Sequence, residues 1–386
     1  MDKNLKVALV HDFLREHGGA ERVLEVLHEI FPDAPVYTAY VNLDKMGENG
    51  KRFISWDIRP SWFQKFPFAN KLLSPFRIFG PMMFESFDLS EYDLVISSSS
   101  ATHLAKSVIT KPETLHISYI HTPPRFLYGY TTSFNYKKRW WTRIGGEMIN
   151  HVMRIYDFEV SQRPDILIAN SRNVQERIKK FYRRDSVVIY PPVGIKKGTE
   201  YRVQGTGKYY LSVGRLVRGK GIDVVVEACG KLGLSLKVVG TGPEYENIKY
   251  QISNIKYQNI ELLGQVSDDD LPKLYAGAKA TIVASEDEDF GIVPIESQAY
   301  GTPVIAPASG GFLETVEDRK TGLLYGGPGM VTAESLVEAL QKFDGMSFES
   351  EDLRKNAEKF SKDRFKKEIL TLIGQNLKWY NTAKGR

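Results

Sequence analysis

The sequence predicts an α/β protein of two Rossmann-like domains, each built on a parallel sheet, facing one another across a cleft. Three observations lead there. The chain has 386 residues, too many for one ordinary domain and suited to two of about 150–200 residues each. In both halves, short and nearly continuous apolar runs alternate with stretches of helical spacing, the pattern of buried parallel strands joined by crossover helices. Between the halves, Gly194 to Gly207 is polar, glycine-bearing and without periodicity, and reads as a linker. Domains are therefore expected at residues 1–193 and 208–363, with a closing helix over about 364–386 packing back onto the first domain.

The first half opens with Lys6 to His11 (KVALVH) as a buried strand. A loop closing on Gly18 and Gly19 follows, then a helix with Val23, Leu24, Leu27, Ile30 and Phe31 on one face. Ligands collect at such strand ends, although this glycine pair lacks the spacing of the dinucleotide fingerprint. Further strands are expected at Val36–Tyr40, Leu94–Ser97, His116–Ile120, Ile166–Ala169 and Val187–Tyr190. Polar residues directly after two of them, His121–Thr122 and Asn170–Ser171, fall at strand C-termini. The second pair also suits a helix N-cap.

The second half begins with YYLSVG, a basic turn RLVRGKG and the helix IDVVVEACGKL. The strand LKVVG, a turn at Gly240–Pro243, a helix from Glu244, the strand IELLG and a helix over Leu271–Ala276 come next. A strand at Ala280–Ala284 then leads through the acidic loop Glu286–Asp289 to a helix over Ile292–Tyr300. Gly301 stops that helix, and Pro303–Ala306 is the next strand. The closing helix, Arg364 to Tyr380, carries Phe365, Ile369, Leu372, Ile373 and Trp379 near one face.

Composition narrows the function classes. Hydrophobic content of 42% and charge of 26% are ordinary globular values. A net charge of +5 is mild, and no helix-turn-helix, zinc-finger or RNA-binding pattern accompanies it, so nucleic acid is not an expected partner. The single cysteine, Cys229, excludes an intrachain disulfide framework and lies on the apolar side of a helix, as a buried thiol would. The chain enters its first strand without a signal-peptide pattern, and no apolar run approaches the roughly 18 residues of a membrane span, so a cytoplasmic location is expected. Two stretches, Lys51–Phe84 and Phe126–Trp141, mix aromatics with Lys and Arg. They read either as irregular cover for a core or as a surface resting on an anionic membrane, peripheral on its inner face.

Three features of the second half converge on an anionic ligand. Arg215 and Lys220 flank a glycine-rich turn at a strand end, beginning at Gly214, and supply what a diphosphate needs. The helix starting at Ile292 opens onto Phe290 and Gly291, and the amides of Gly291, Ile292 and Val293 form an anion-binding N-terminus. Glu288 and Glu296 are eight residues apart. At about 100° per residue one helical face cannot pair them as acid and base, so they reach different parts of one ligand. Asp268 to Asp270 contain a D-x-D, but before LPKLYAGA they read as an N-cap and first turn.

The run E-D-F-G-I-V-P-I-E, followed by S-Q-A-Y-G-T-P-V-I-A and preceded by G-R-L-V-R-G-K-G-I-D, resembles glycosyltransferase family 4, retaining transferases of the GT-B fold. VALVHDFL with HGGAERVLE, YDLVISSSS, YIHTPPR, LIANS and VIYPPV extend the resemblance to the O-antigen-type mannosyltransferase branch, over roughly Lys6 to Gly322. The resemblance implies that Arg215 and Lys220 hold the donor diphosphate, that Glu288 meets the donor sugar and that Glu296 meets the ribose. Gly291 to Val293 would donate amides, Gly18 and Gly19 would approach the diphosphate, and His121 would lie beside the anomeric centre. Gly214, Val266 and Phe290 complete the expected donor-binding set, with the stretch around Val266 near the base.

The implied catalytic residues are His121, Arg215, Lys220 and Glu288. No metal and no cofactor beyond the nucleotide-sugar co-substrate are expected. The implied reaction moves a hexose, mannose from GDP-mannose in the first instance, onto a glycan or lipid-linked acceptor in surface polysaccharide synthesis. Two other readings stand beside it: a UDP-sugar transferase with a soluble small acceptor, and a non-catalytic sugar-nucleotide-binding scaffold.

Overall fold

The computed structural model describes residues 5–72, 75–100, 104–130, 140–194, 207–254 and 259–383. Among the described residues, thirteen strands run in chain order: β1 Val7–His11, β2 Val36–Thr38, β3 Ile58–Pro60, β4 Leu94–Ser99, β5 Leu115–Ile120, β6 Ile166–Ala169, β7 Val187–Val188, β8 Tyr210–Val213, β9 Leu236–Val239, β10 Ile260–Gly264, β11 Ala280–Ile282, β12 Val304–Pro307 and β13 Gly322–Tyr325. The helices are α1 Gly19–Ile30, α2 Ala69–Leu72, α3 Gly80–Glu85, α4 Trp140–Ser161, α5 Arg172–Tyr182, α6 Ile222–Lys231, α7 Tyr245–Asn254, α8 Leu271–Gly277, α9 Ile292–Ala299, α10 Phe312–Thr315, α11 Ala333–Phe343, α12 Ser350–Glu358 and α13 Lys362–Ala383. Short 3-10 turns fill several connections.

The chain divides into two compact units, with boundaries at Pro192/Val193 and Lys362/Asp363, so the chain after Asp363 belongs with the first unit. The first unit holds a seven-stranded sheet in the order β3-β2-β1-β4-β5-β6-β7, and the second a six-stranded sheet in the order β10-β9-β8-β11-β12-β13. Every pairing is parallel. Strands covered on both faces must be apolar throughout, and β1, β4 and β5 are buried along their whole length. In the first unit Leu9, Ile96, Ile117 and Ile168 meet Val23, Leu24 and Leu27 of α1 and Phe365, Ile369 and Ile373 of α13. Trp379, expected on the same face of the closing helix, lies outside the side chains described.

Two strands are absent from the sequence reading. β3 is a three-residue edge strand, half-exposed and ending in proline, and β13 is a four-residue run starting on glycine. The Lys51–Phe84 stretch turns out mixed. Phe53, Phe63, Met83 and Phe84 are buried, whereas Ile54, Phe66, Phe68 and Met82 are exposed. Most of the Gly194–Gly207 linker lies outside the described residues. Cys229 is fully buried, and burial pushes its thiol up to about 12.

A buried ion pair ties α4 into the first unit. Lys106 Nζ, almost fully enclosed, donates to Asp157 Oδ1 of α4 and to the Tyr182 hydroxyl. Tyr182 and Tyr128 both donate to the same carboxylate, at 3.2 and 2.8 Å. A buried charge is tolerable only when so partnered, and removing one member leaves the other uncompensated. Lys106→Met is therefore expected to cost about 3–5 kcal/mol in urea unfolding, and the double variant Lys106→Met/Asp157→Leu less than that. Equal losses in the two variants would contradict the pairing.

Candidate functional site

In each sheet the strand order reverses once, between β1 and β4 in the first unit and between β8 and β11 in the second. Loops leaving neighbouring strands at such a point diverge and open a crevice at the strand C-termini. Gly18 and Gly19 after β1, Gly214, Arg215 and Lys220 after β8, and Glu288 after β11 fall at these two places, whereas His121 follows β5 and Val266 follows β10.

In the second unit, Gly214 and Arg215 leave β8 and Lys220 ends a short 3-10 turn. Gly221 then caps α6 with φ 63°, and a Cβ there would lie 2.3 Å from the Ala284 carbonyl oxygen, so only glycine allows the loop to approach the exit of β11. That approach brings the two loops into contact: Lys220 Nζ and Ser285 Oγ both donate to Glu288 Oε2, each at 2.6 Å. Arg215 is exposed on the same basic turn. The Glu288 carbonyl accepts from Gly311 N–H at 2.9 Å and pins the acidic loop.

Gly291, at φ 93°, caps α9. The N–H groups of Gly291, Ile292 and Val293 have no hydrogen-bond partner among the described residues, as an open helix N-terminus requires. Glu296, half-buried, accepts from the Tyr275 hydroxyl at 2.9 Å. The helix is held from behind: Ser297 donates to Thr281 Oγ1 at 2.7 Å, and Asn356 of α12 donates to Gln298 Oε1 at 2.6 Å.

One expectation needs correction, and two further residues are placed as follows. The Phe290 ring is buried against Phe360, with ring centroids 5.4 Å apart, so its side chain supports the loop and does not face a ligand. Val266 packs beside Tyr275 and Val293, behind Glu296's partner. Asp270 is the N-cap residue of α8, as expected, although its carboxylate accepts from Ser267 Oγ and Lys273 Nζ, both at 2.7 Å, and not from the helix amides. Ser267 Oγ instead accepts the Asp270 N–H, at 3.1 Å. Among the described residues no group of three or more His, Cys, Asp or Glu side chains is placed to hold a metal ion.

In the first unit, Gly19 opens α1, and the Gly18 N–H donates to Glu21 Oε2 at 2.7 Å. His121 follows β5, its Nε2 2.9 Å from Ser98 Oγ. Ser98 Oγ lies 3.1 Å from His11 Nδ1, and His11 Nε2 lies 3.3 Å from Glu21 Oε1. Parallel register sets His11 on β1 directly opposite Ser98 on β4. Burial, with the neighbouring His11, takes His121 down to about 4, so the ring is neutral at neutral pH. For Glu21 burial acts upward, but the hydrogen bonds from His11 and from the amides of Glu21 and Gly18 outweigh it, and its carboxyl sits below the usual range.

His11, Ser98 and Glu21 are absent from the sequence reading. The available signal was a histidine and a serine at the ends of fully buried strands, in VALVHDFL and YDLVISSSS. Ser171 takes the N-cap role, accepting from Val174 N–H at 3.1 Å.

Comparisons with known proteins bear on the fold and the family. Residues 197–360, within the second unit, match the family model described as glycosyl transferases group 1. An uncharacterised glycosyltransferase of Methanocaldococcus jannaschii is 31% identical over 160 residues, covering 42% of this chain and 45% of that protein. The D-inositol 3-phosphate glycosyltransferase of Salinispora arenicola is 35% identical over 257 residues, covering 58% of this chain and 57% of that protein. The chain thus spans about half the length of these curated relatives. Among solved structures, sucrose-phosphate synthase of Thermosynechococcus elongatus superposes with TM-score 0.70 at 18% identity, over 96% of this chain and 98% of that one. Anabaena HepE in complex with UDP-glucose gives 0.69 at 18% identity, over 96% and 99%. The fold is accordingly two parallel-sheet α/β domains of the GT-B type.

Two consequences are measurable. Buried His116, driven down to about 3 by burial with Arg184 and Arg163, joins His121 in being neutral when folded. Unfolding raises both toward about 6.5, so the unfolded chain binds more protons below that pH. Stability should hold above pH about 6.5 and fall as pH drops toward 4. A urea-midpoint profile flat across that window would overturn the neutral assignment. Gly221→Ala combines left-handed strain with the Ala284 clash and should cost at least about 1–3 kcal/mol in the same assay.

Proposed function

We propose that the chain is a nucleotide-sugar-dependent hexosyltransferase. The observation that carries this reading is the Lys220–Glu288–Ser285 cluster beside Arg215, at the strand-order reversal of the second unit. A diphosphate arriving there meets two cations and the amides of Gly291, Ile292 and Val293. Lys220 exchanges Glu288 for phosphate oxygens, which frees Glu288 for hydroxyls of the donor sugar. Glu296, steadied by Tyr275, takes the ribose.

In the reaction the anomeric C–O bond breaks with its electron pair leaving on the diphosphate, whose growing charge Arg215 and Lys220 stabilise. A hydroxyl of the acceptor forms the new C–O bond on the same face, and its proton passes to the departing phosphate oxygen. The configuration is retained, and the cations with the helix amides supply the positive charge without a metal.

GDP-mannose is the donor proposed first, with a glycan or lipid-linked acceptor. UDP-glucose, the ligand named with HepE, is the leading alternative. The exposed stripe of Met148, Val152 and Ile155 along α4 supports a peripheral seat on an anionic membrane. Lys137, Lys138 and Arg139, the charges expected to contact it, lie outside the described residues.

A thermal-shift panel of GDP-, UDP- and ADP-sugars tests the donor, since stabilisation follows mass action. GDP-mannose is expected to raise Tm in the native protein and to lose most of that shift in Lys220→Met. No shift with any sugar nucleotide would sink the proposal, and a shift with UDP-glucose alone would move the donor. Transfer should persist in EDTA and give a product of unchanged anomeric configuration by NMR. Flotation with anionic vesicles should fall when Val152 and Ile155 are changed to Glu.

A further inference from the structure

The contacts from His121 back to Glu21 have a direction that follows from which groups can donate. Glu21, held as a carboxylate, can only accept, so His11 Nε2 carries a hydrogen and donates to Oε1. At 3.3 Å this contact lacks the shortening of a charge-assisted pair, so the ring hydrogen is placed on Nε2 alone and Nδ1 is left bare. A bare Nδ1 requires the Ser98 hydroxyl to donate to it. With its one hydrogen committed, Ser98 Oγ can only accept from the other side, and His121 Nε2–H is the donor there. His121, being neutral, then has no hydrogen on Nδ1, and that nitrogen has no other partner among the described residues.

We infer that Ser98, His11 and Glu21 are positioning residues that lock His121 in the Nε2–H tautomer and leave its Nδ1 as a hydrogen-bond acceptor. The relay is anchored at both ends by backbone: Gly18 N–H holds Glu21, and the β1–β4 register holds His11 against Ser98. Resting on the transferase reading, this defines what the first unit can offer a sugar hydroxyl: the Nδ1 of His121 accepts from it and has no proton to give.

Long-range proton–nitrogen NMR on histidine-labelled full-length protein reads the tautomer directly, without donor or acceptor. The His121 resonances are identified by their loss in His121→Gln. The expected spectrum of the native protein has a pyrrole-like Nε2 and a pyridine-like Nδ1 at His121. An Nδ1-protonated ring would overturn the inference. Ser98→Ala removes the acceptor and should give a tautomer mixture, while Ser98→Thr keeps the hydroxyl and should restore the single form. An unchanged tautomer in Ser98→Ala would equally overturn it.

In transfer assays Ser98→Ala is expected to lower kcat by about tenfold to a hundredfold with little change in the donor KM, and Ser98→Thr to recover it. Failure of every sugar nucleotide to bind would remove the transferase reading and leave the tautomer result standing. A mixed tautomer in the native protein would remove the relay and leave that reading intact.

Discussion

The reversal of strand order within each parallel sheet is the constraint from which the candidate chemistry follows. A doubly wound sheet has one place where crossover helices leave neighbouring strands in opposite directions, and only there does the backbone open at the strand C-termini. In the first unit that place lies between β1 and β4, whose register sets His11 against Ser98. In the second it lies between β8 and β11, whose exits carry Lys220 and Glu288. The opening would still be filled by the loops themselves if they could not pass close together. Gly221, which leaves no room for a Cβ against Ala284, makes that close passage possible.

The Lys220–Glu288 pair is strong enough to place both groups and weak enough to yield. Its distance is short, 2.6 Å, yet the lysine side chain is 37% exposed. Water screens such a pair to a net worth of about 0–1 kcal/mol. A diphosphate brings two negative charges and several acceptor oxygens, so exchanging one carboxylate for it is favourable. A fully buried pair, such as Lys106 with Asp157, could not be exchanged in this way, because any vacancy would leave a bare charge. The contrast separates a lysine that serves the fold from one suited to a ligand.

How much of this was legible in the sequence depended on range. Periodicity in VALVH, ATIVA and NVQERIKKFY located elements because it is local, and Ser171 as a cap was local too. Arg215, Lys220, Glu288 and Glu296 were readable as charged residues at strand ends and helix starts. Their partners were not, since Lys220 meets a glutamate 68 positions away and Ser98 meets a histidine 87 positions away. Phe290 illustrates the opposite error. Sitting inside a chemically rich run, it reads as a ligand contact, but its ring packs against Phe360 and is worth more in the core than in water. Asp270 stands at the N-cap as read, but which partners its carboxylate would take, Ser267 and Lys273, was not legible from position alone.

The two units differ in the electrostatics they offer, and on the proposed reading that difference divides the work. In the first unit burial keeps His121 and His116 neutral, and the one ionised member of the relay, Glu21, is spent on His11 and on backbone amides. Such a set can orient hydroxyls but cannot absorb the charge of a leaving diphosphate. In the second unit Arg215 and Lys220 remain in reach of solvent beside open helix amides, and positive charge there needs no desolvation before a ligand arrives. On the proposed reading, stabilisation of a departing diphosphate is therefore assigned to Arg215 and Lys220 of the second unit. What His121 can offer in the first unit is a single acceptor for a hydroxyl, and its tautomer decides whether that acceptor exists.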